Sequence, residues 1–187
     1  MEIKKMKIPG CVQIFSFHAF DQRGSFLKQF VQSEFKRAHL ETDFREDFLS
    51  ISKKGVIRGL HFQAPPFLAT KLVFCILGKA FDVIVDLRKG SPSYLQWEAV
   101  ALDHQLGNAI YISPGCAHGF AALSDPTILG YKTTSEHRKD FDLGIRWNSL
   151  SIPWPLKMPI LSERDRSLPL LSAFQSPFEY ETLTNSA

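Results

Sequence analysis

Apolar and polar positions exchange every one or two residues along most of the chain, so the dominant period is that of a strand. The runs VQIFSF (12–17), SFLKQF (25–30), FLSIS (48–52), VIRGLHFQ (56–63) and KLVFCILG (71–78) have the length and the aromatic and β-branched content of strands. KAFDVIVDLR (79–88), YLQWEAVALD (94–103), NAIYIS (108–113), CAHGFAALS (116–124) and ILGYKTTS (128–135) continue the series. Turn signals fall between them: DQRG (21–24), KKG (53–55), APP (64–66), KGSP (89–92), SPG (113–115) and SDP (124–126). QSEFKRAHL (32–40) is the best helical candidate, and a short one. From about residue 149 the prolines crowd together (Pro153, Pro155, Pro159, Pro169, Pro177), which predicts short helices and loops wrapped around the sheets. The expected fold is all-β, a jelly-roll sandwich or barrel with short peripheral helices and a C-terminal wrap. No repeat, linker or change of composition divides the chain, so one domain over 1–187 is expected.

Composition narrows the function classes. The 187 residues are 44% hydrophobic and 22% charged, in the ordinary range for a folded domain, and 16 phenylalanines add to the β-rich bias. A net charge of +3 with no Lys or Arg run longer than two argues against a nucleic-acid partner. It leaves room for a few arginines on a diphosphate, which depends on position rather than bulk charge. Cys11, Cys75 and Cys116 are odd in number and far apart, so no disulfide framework is expected and a reducing compartment fits. The N-terminus MEIKKMKIPG lacks an apolar core behind its charges, and no apolar stretch nears the length of a membrane span. A cytoplasmic protein without a membrane partner is the expectation.

Several polar residues stand out against this apolar background. Arg58, His61 and Gln63 interrupt the apolar run 55–63; strict alternation puts His61 and Gln63 on one face and Arg58 on the other, unless Gly59 marks a bulge. His118 sits between glycines in PGCAHGF (114–120), a sign of close backbone approach. Two strand histidines suggest a metal-binding barrel, but that needs an H-x-H pair with further ligands, and here Phe62 and Gln63 follow His61. No metal is therefore expected. Lys71 opens an apolar strand, either as an edge gatekeeper or as a cation facing an enolate. Tyr131 reads as a core tyrosine or a general acid, and Asp165 as a solvated loop acid or the partner of a histidine. The chain has no dinucleotide fingerprint, P-loop or nucleophile elbow, so no nicotinamide or ATP chemistry is expected.

In order, D-x-R-G-x-F (21–26), GVIRGLHFQ (55–63), KLV (71–73), DVIVDLRKGSPSY (82–94), IYISPGCAHGF (110–120), YKTT (131–134), GIRWN (144–148), WP (154–155) and ILSERD (160–165) resemble the dTDP-4-dehydrorhamnose 3,5-epimerase family over residues 8–170. The resemblance implies a homodimeric, cupin-like jelly roll that needs no cofactor. Its substrate would be a nucleotide-linked 4-keto-6-deoxy sugar of rhamnose-type biosynthesis, inverted at C3, C5 or both. It makes His61 the base, Asp165 its dyad partner, Tyr131 the acid on the opposite face of the sugar and Lys71 the neighbour of the C4 oxygen. Arg23, Arg58 and His118 would hold the diphosphate or adjoining sugar groups, with Arg23 serving the partner's site.

Departures from the family pattern gather around the nucleotide. Two residues after Phe26 a Glu is replaced by Lys28, a Gln and an Asn by Glu46 and Phe48, and a Tyr by His137. Asp142 stands for a Glu and Arg164 for a Lys, both conservative. The expectation is an intact sugar site with a changed base-reading edge, so a CDP-linked sugar epimerised at C5 is the alternative substrate.

Overall fold

The computed structural model describes residues 1–180. Residues 181–187, the end of the expected single domain, lie outside the described residues. The strands are β1 (Glu2–Lys5), β2 (Val12–Phe15), β3 (Phe17–Asp21), β4 (Gly24–Lys28), β5 (Glu46–Ser52), β6 (Ile57–Gln63) and β7 (Lys71–Leu77). They continue as β8 (Lys79–Asp86), β9 (Trp97–Asp103), β10 (Asn108–Ile112), β11 (Cys116–Ala122), β12 (Thr127–Thr133) and β13 (Asp142–Gly144). Helices α1 (Gln32–Arg37) and α2 (Glu163–Ser167) are short.

Two antiparallel sheets face each other, ordered β1-β2-β10-β7-β12-β5 and β13-β6-β11-β8-β9, and β3 with β4 forms a separate ribbon. From β5 onward the chain crosses from sheet to sheet at every step except the β8–β9 hairpin, which is the expected jelly-roll arrangement. Three apolar layers hold it together. Val73, Cys75, Ile84, Ile110, Phe120 and Leu129 fill the space between the sheets. The tail brings Ile152, Trp154, Phe174 and Phe178 over Leu60, Phe62, Val83 and Val85 on the outside of the five-stranded sheet. Phe35 of α1 covers Ile14, Leu72 and Tyr111 outside the six-stranded sheet. Strands β10 and β11 are buried on both faces, which is why their sequences are nearly continuous apolar runs rather than alternating ones. Each fully buried Leu, Ile or Phe contributes about 1.5–3 kcal/mol.

Differences from the sequence reading have local causes. The expected strand 12–17 breaks at Ser16, and Phe17–Asp21 turns away to pair with β4. The charged β1 and three-residue β13 carry no strand pattern of their own; each is held as an edge partner, of β2 and β6. β9 starts at Trp97, not 94, because the Asp86 carboxylate accepts bonds from Arg88, Ser91 and Ser93 and folds 88–95 into turns. α1 stops at Arg37, and His39 adopts a left-handed φ of 56°. The three cysteines are free and buried; Cys11 and Cys116 lie with their Sγ atoms 4.0 Å apart.

Candidate active site

Between the sheets, at the β5, β6 and β12 end, opens a cavity of about 480 Å³. β6 builds one wall. Opposite β11, His61 pairs with His118 but Arg58 pairs with Phe120, so β6 carries one extra residue there. This bulge turns Arg58 onto the face of His61, and both line the cavity. Strict alternation would separate them. Gly59 sits in the bulge at φ +134°, and a Cβ on it would fall 2.6 Å from the Gly119 Cα, so glycine is required for β6 and β11 to approach.

The chain returns to this wall 100 residues later. Ile160 exchanges backbone bonds with Gly55 and Ile57, anchoring the loop that leads into α2 beside β6. Ser162 caps α2 by accepting the Asp165 N–H at 3.0 Å. The buried Asp165 carboxylate then meets His61 Nε2 at 2.5 Å. The second ring nitrogen of His61 remains unbonded to protein among the described residues, and the ring is only partly covered.

The facing sheet supplies Tyr131 and Lys71. Tyr131 is buried in β12, its ring stacked on Phe48 at 4.6 Å with an interplanar angle of 6°. Burial pushes its phenol well above the ordinary range, opposed by a hydroxyl contact with Ser50 at 3.4 Å. Lys71 opens β7 and lines the cavity with no hydrogen-bonded or ion-paired partner among the described residues. Burial pushes its ammonium down, while Asp142 and Asp82 pull it up. Arg58 is steadied by Ser52 Oγ at 3.0 Å and the Ile51 carbonyl at 3.2 Å.

At the floor, His118 Nε2 lies 2.8 Å from Asp82, both buried inside the sandwich, and the ring meets Tyr131 edge-on at 6.0 Å. Burial pushes the Asp82 carboxyl up, opposed by the charge and hydrogen bond of His118. The mouth is a polar network. Glu46 accepts the His137 N–H at 2.7 Å, His137 Nε2 meets Asp142 at 3.1 Å, and Arg164 pairs with Asp142 at 2.9 Å. Burial pushes the Asp142 carboxyl up, but Arg164 and His137 together outweigh it and hold it below the usual range.

Of the residues singled out in the sequence, His61, Asp165, Tyr131, Lys71, Arg58, His118, Glu46, Phe48, His137, Asp142 and Arg164 all line this cavity. Arg23, Phe26 and Lys28 do not. They stand on the exposed β3–β4 ribbon, where Arg23 pairs with Asp21 at 2.6 Å. Sequence reasoning missed Asp82, Ser50 and Ser162. The signal for Asp82 was a lone acid inside the apolar run AFDVIV (80–85); the two serines carried none. Among the described residues no group of three His, Cys, Asp or Glu side chains gathers as a metal site.

What the arrangement can do is move protons. A histidine held by a buried carboxylate sits on one sheet, a phenol on the other, and a cation beside them, which suits removal of a carbon-bound proton from one face and return from the other. Arg58, Lys71 and Arg164 together favour an anionic ligand.

The sequence profile described as dTDP-4-dehydrorhamnose 3,5-epimerase matches residues 5–173. The dTDP-4-dehydrorhamnose 3,5-epimerase of Shigella flexneri is 41% identical over 169 residues, 88% of this chain and 93% of that protein. A dTDP-4-dehydrorhamnose 3-epimerase of Streptomyces niveus is 37% identical over 175 residues, 92% and 84%. Among solved structures, the dTDP-6-deoxy-D-glucose-3,5-epimerase of Legionella pneumophila in complex with dTDP-4-keto-L-rhamnose superposes with a TM-score of 0.92 at 33% identity, covering 97% of this chain and 99% of that one.

Proposed function

Because the chain belongs to the dTDP-4-dehydrorhamnose 3,5-epimerase family, we propose that it inverts C3 and C5 of a nucleotide-linked 4-keto-6-deoxyhexose in deoxysugar biosynthesis. The observation that carries the reading is one cavity in which the His61–Asp165 dyad and Tyr131 come from facing sheets, with Lys71 at the same cavity.

The substrate's own ketone at C4 makes the protons on C3 and C5 acidic. His61 takes one of them on its free ring nitrogen, and Asp165 stabilises the resulting imidazolium. The electron pair moves onto the C4 oxygen, where the Lys71 ammonium balances the enolate charge. Tyr131 delivers a proton to the opposite face of the same carbon, and the centre is inverted. Burial keeps the Tyr131 phenol protonated until the carbanion forms, which is the state an acid needs. Arg58 and Arg164 suit the diphosphate.

The nucleotide sits, in this reading, at the mouth formed by Glu46, Phe48, His137 and Asp142. The names of the relatives point to thymidine diphosphate. The mouth residues depart from the family pattern, and titration calorimetry with dTDP and CDP separates the two substrates: tighter CDP binding assigns the changed edge to cytidine. The protein works in this reading as a homodimer in the cytoplasm. Leu49 and Ile51 lie at the cavity rim on edge strand β5 and are 57% and 64% exposed. With the exposed Ile76 and Leu77 of β7 they form an apolar face that a second copy would cover. The β3–β4 ribbon would carry Arg23, Phe26 and Lys28 to the partner's cavity. Light scattering at micromolar concentration tests this; a monomer that is fully active refutes it. Among the described residues no helix is long and apolar enough to cross a membrane.

The deciding experiment is incubation with dTDP-linked and CDP-linked 4-keto-6-deoxyglucose in heavy water, followed by NMR. Deuterium at C3 and C5 with inversion is expected. No exchange with either nucleotide rejects the enzyme reading.

A further inference from the structure

Inverting two centres in one encounter poses a proton problem. Each inversion moves one proton from carbon to His61 and one from Tyr131 to carbon. It leaves an imidazolium and a phenolate, and a second inversion requires both to be reset while the sugar is still bound. His61 faces the open cavity and can release its proton to water there. Tyr131 lines the same cavity, but Phe48 covers its ring, His118 meets it edge-on and the side chain is buried, so a bound sugar occupies its remaining open side. Among the described residues its hydroxyl has one hydrogen-bonding contact, Ser50 Oγ at 3.4 Å.

We propose that Ser50 is the proton relay that reloads Tyr131 between the first and the second inversion. The proposal rests on the epimerase reading above. Ser50 is half-buried, lines the cavity from β5 and contacts the Tyr131 hydroxyl, so its own hydroxyl stands between Tyr131 and cavity water. Its Oγ–H donates to the phenolate while Oγ accepts a proton from water, and the hydroxide left behind takes the proton from the His61 imidazolium. The sum returns one water and both residues to their starting states, with no change of oxidation.

Other groups around the phenol are poorly suited. The Arg58 guanidinium does not give up a proton and is bound to Ser52 and Ile51. His118 is held by Asp82 through Nε2. Lys71 faces the C4 oxygen and must keep its proton to balance the second enolate. The hydrogen bond between Ser50 and Tyr131 lowers the phenol against the effect of burial, as a group that steadies the phenolate should. Ser50 acts through Tyr131 and is a positioning residue in that respect. The family contains proteins named for inversion at both centres and at C3 alone, so completion of the second step is a property that varies.

The test is a single turnover with enzyme in excess over dTDP-4-keto-6-deoxyglucose in heavy water, quenched and read by NMR for deuterium at C3 and C5. Wild-type enzyme is expected to give mainly doubly inverted product. Ser50→Ala should lower the ratio of doubly to singly inverted product by about 100-fold, the low side of what a proton-transfer group contributes. Ser50→Thr should restore it. A purely structural role would slow both inversions together and leave the ratio unchanged, so an Ala variant with the wild-type ratio overturns the relay. Wild-type enzyme that inverts one centre only also overturns it while the epimerase reading stands. Absence of any exchange by wild-type enzyme overturns both.

Discussion

Replacing Asp165 by Asn isolates the contribution of the dyad. The carboxylate is 3% exposed and its oxygen lies 2.5 Å from His61 Nε2. Asn keeps the volume, and the cap of α2 survives because Ser162 binds the backbone N–H of residue 165, not its side chain. What disappears is the negative charge facing the imidazolium as it forms. Charge centres about 4 Å apart attract by roughly 4 kcal/mol at an effective dielectric of about 20. At about 1.4 kcal/mol per decade, that is close to a 10³-fold loss in kcat. An Asn that holds the ring in the wrong tautomer adds to the loss, as removal of the acid does in other dyads and triads. The substrate does not touch Asp165 in this reading, so KM should change little. The assay is the initial rate of deuterium incorporation at C3 and C5, with thermal melting as the folding control. An Asp165→Asn variant that melts like wild type and keeps its rate within about threefold, a difference of under 1 kcal/mol, refutes the dyad.

The other expected outcomes follow from the same geometry. Tyr131→Phe keeps the stack on Phe48 and removes the acid; proton loss at the His61 face should continue, giving exchange with retention, while inversion falls by about 10²–10⁴-fold. Chiral analysis of the product checks it. In the proposed mechanism Lys71 must be cationic to hold the enolate, and burial places its ionisation below the ordinary lysine range, so wild-type kcat should fall on the alkaline side earlier than a free lysine of about 10.4 allows. Lys71→Gln should be slower by about 10²–10³-fold and lack that limb in a pH–rate profile. The same lowered value means the folded state holds this proton less tightly than the unfolded chain, so the residue's contribution to stability rises with pH between the two values. Gly59→Ala places a Cβ 2.6 Å from Gly119 at a φ of +134°. It should cost about 3 kcal/mol or more in urea unfolding, and a variant within about 1 kcal/mol of wild type refutes the close approach of β6 and β11.

The order of residues along the chain was enough to specify the sandwich and many of the residues that line the candidate cavity. Period-two patterning bounded by Gly and Pro marked ten strands, because a half-buried strand must alternate and its turns must bend. Asp142–Gly144 escaped because three residues carry no period, and Glu2–Lys5 because its charged residues face water at a sheet edge. His61, Tyr131, Lys71 and Asp165 were legible as polar intruders in ordered motifs. Their surroundings were not. That Arg58 shares a face with His61 depends on one extra residue in β6 relative to a partner 60 residues away, which no local pattern reveals. Folding alone brought Asp165 onto His61, across 104 residues of chain, and gave His118 to Asp82 and Tyr131 to Ser50. A side chain's neighbours along the sequence set its local conformation; the neighbours that set its proton affinity come from packing.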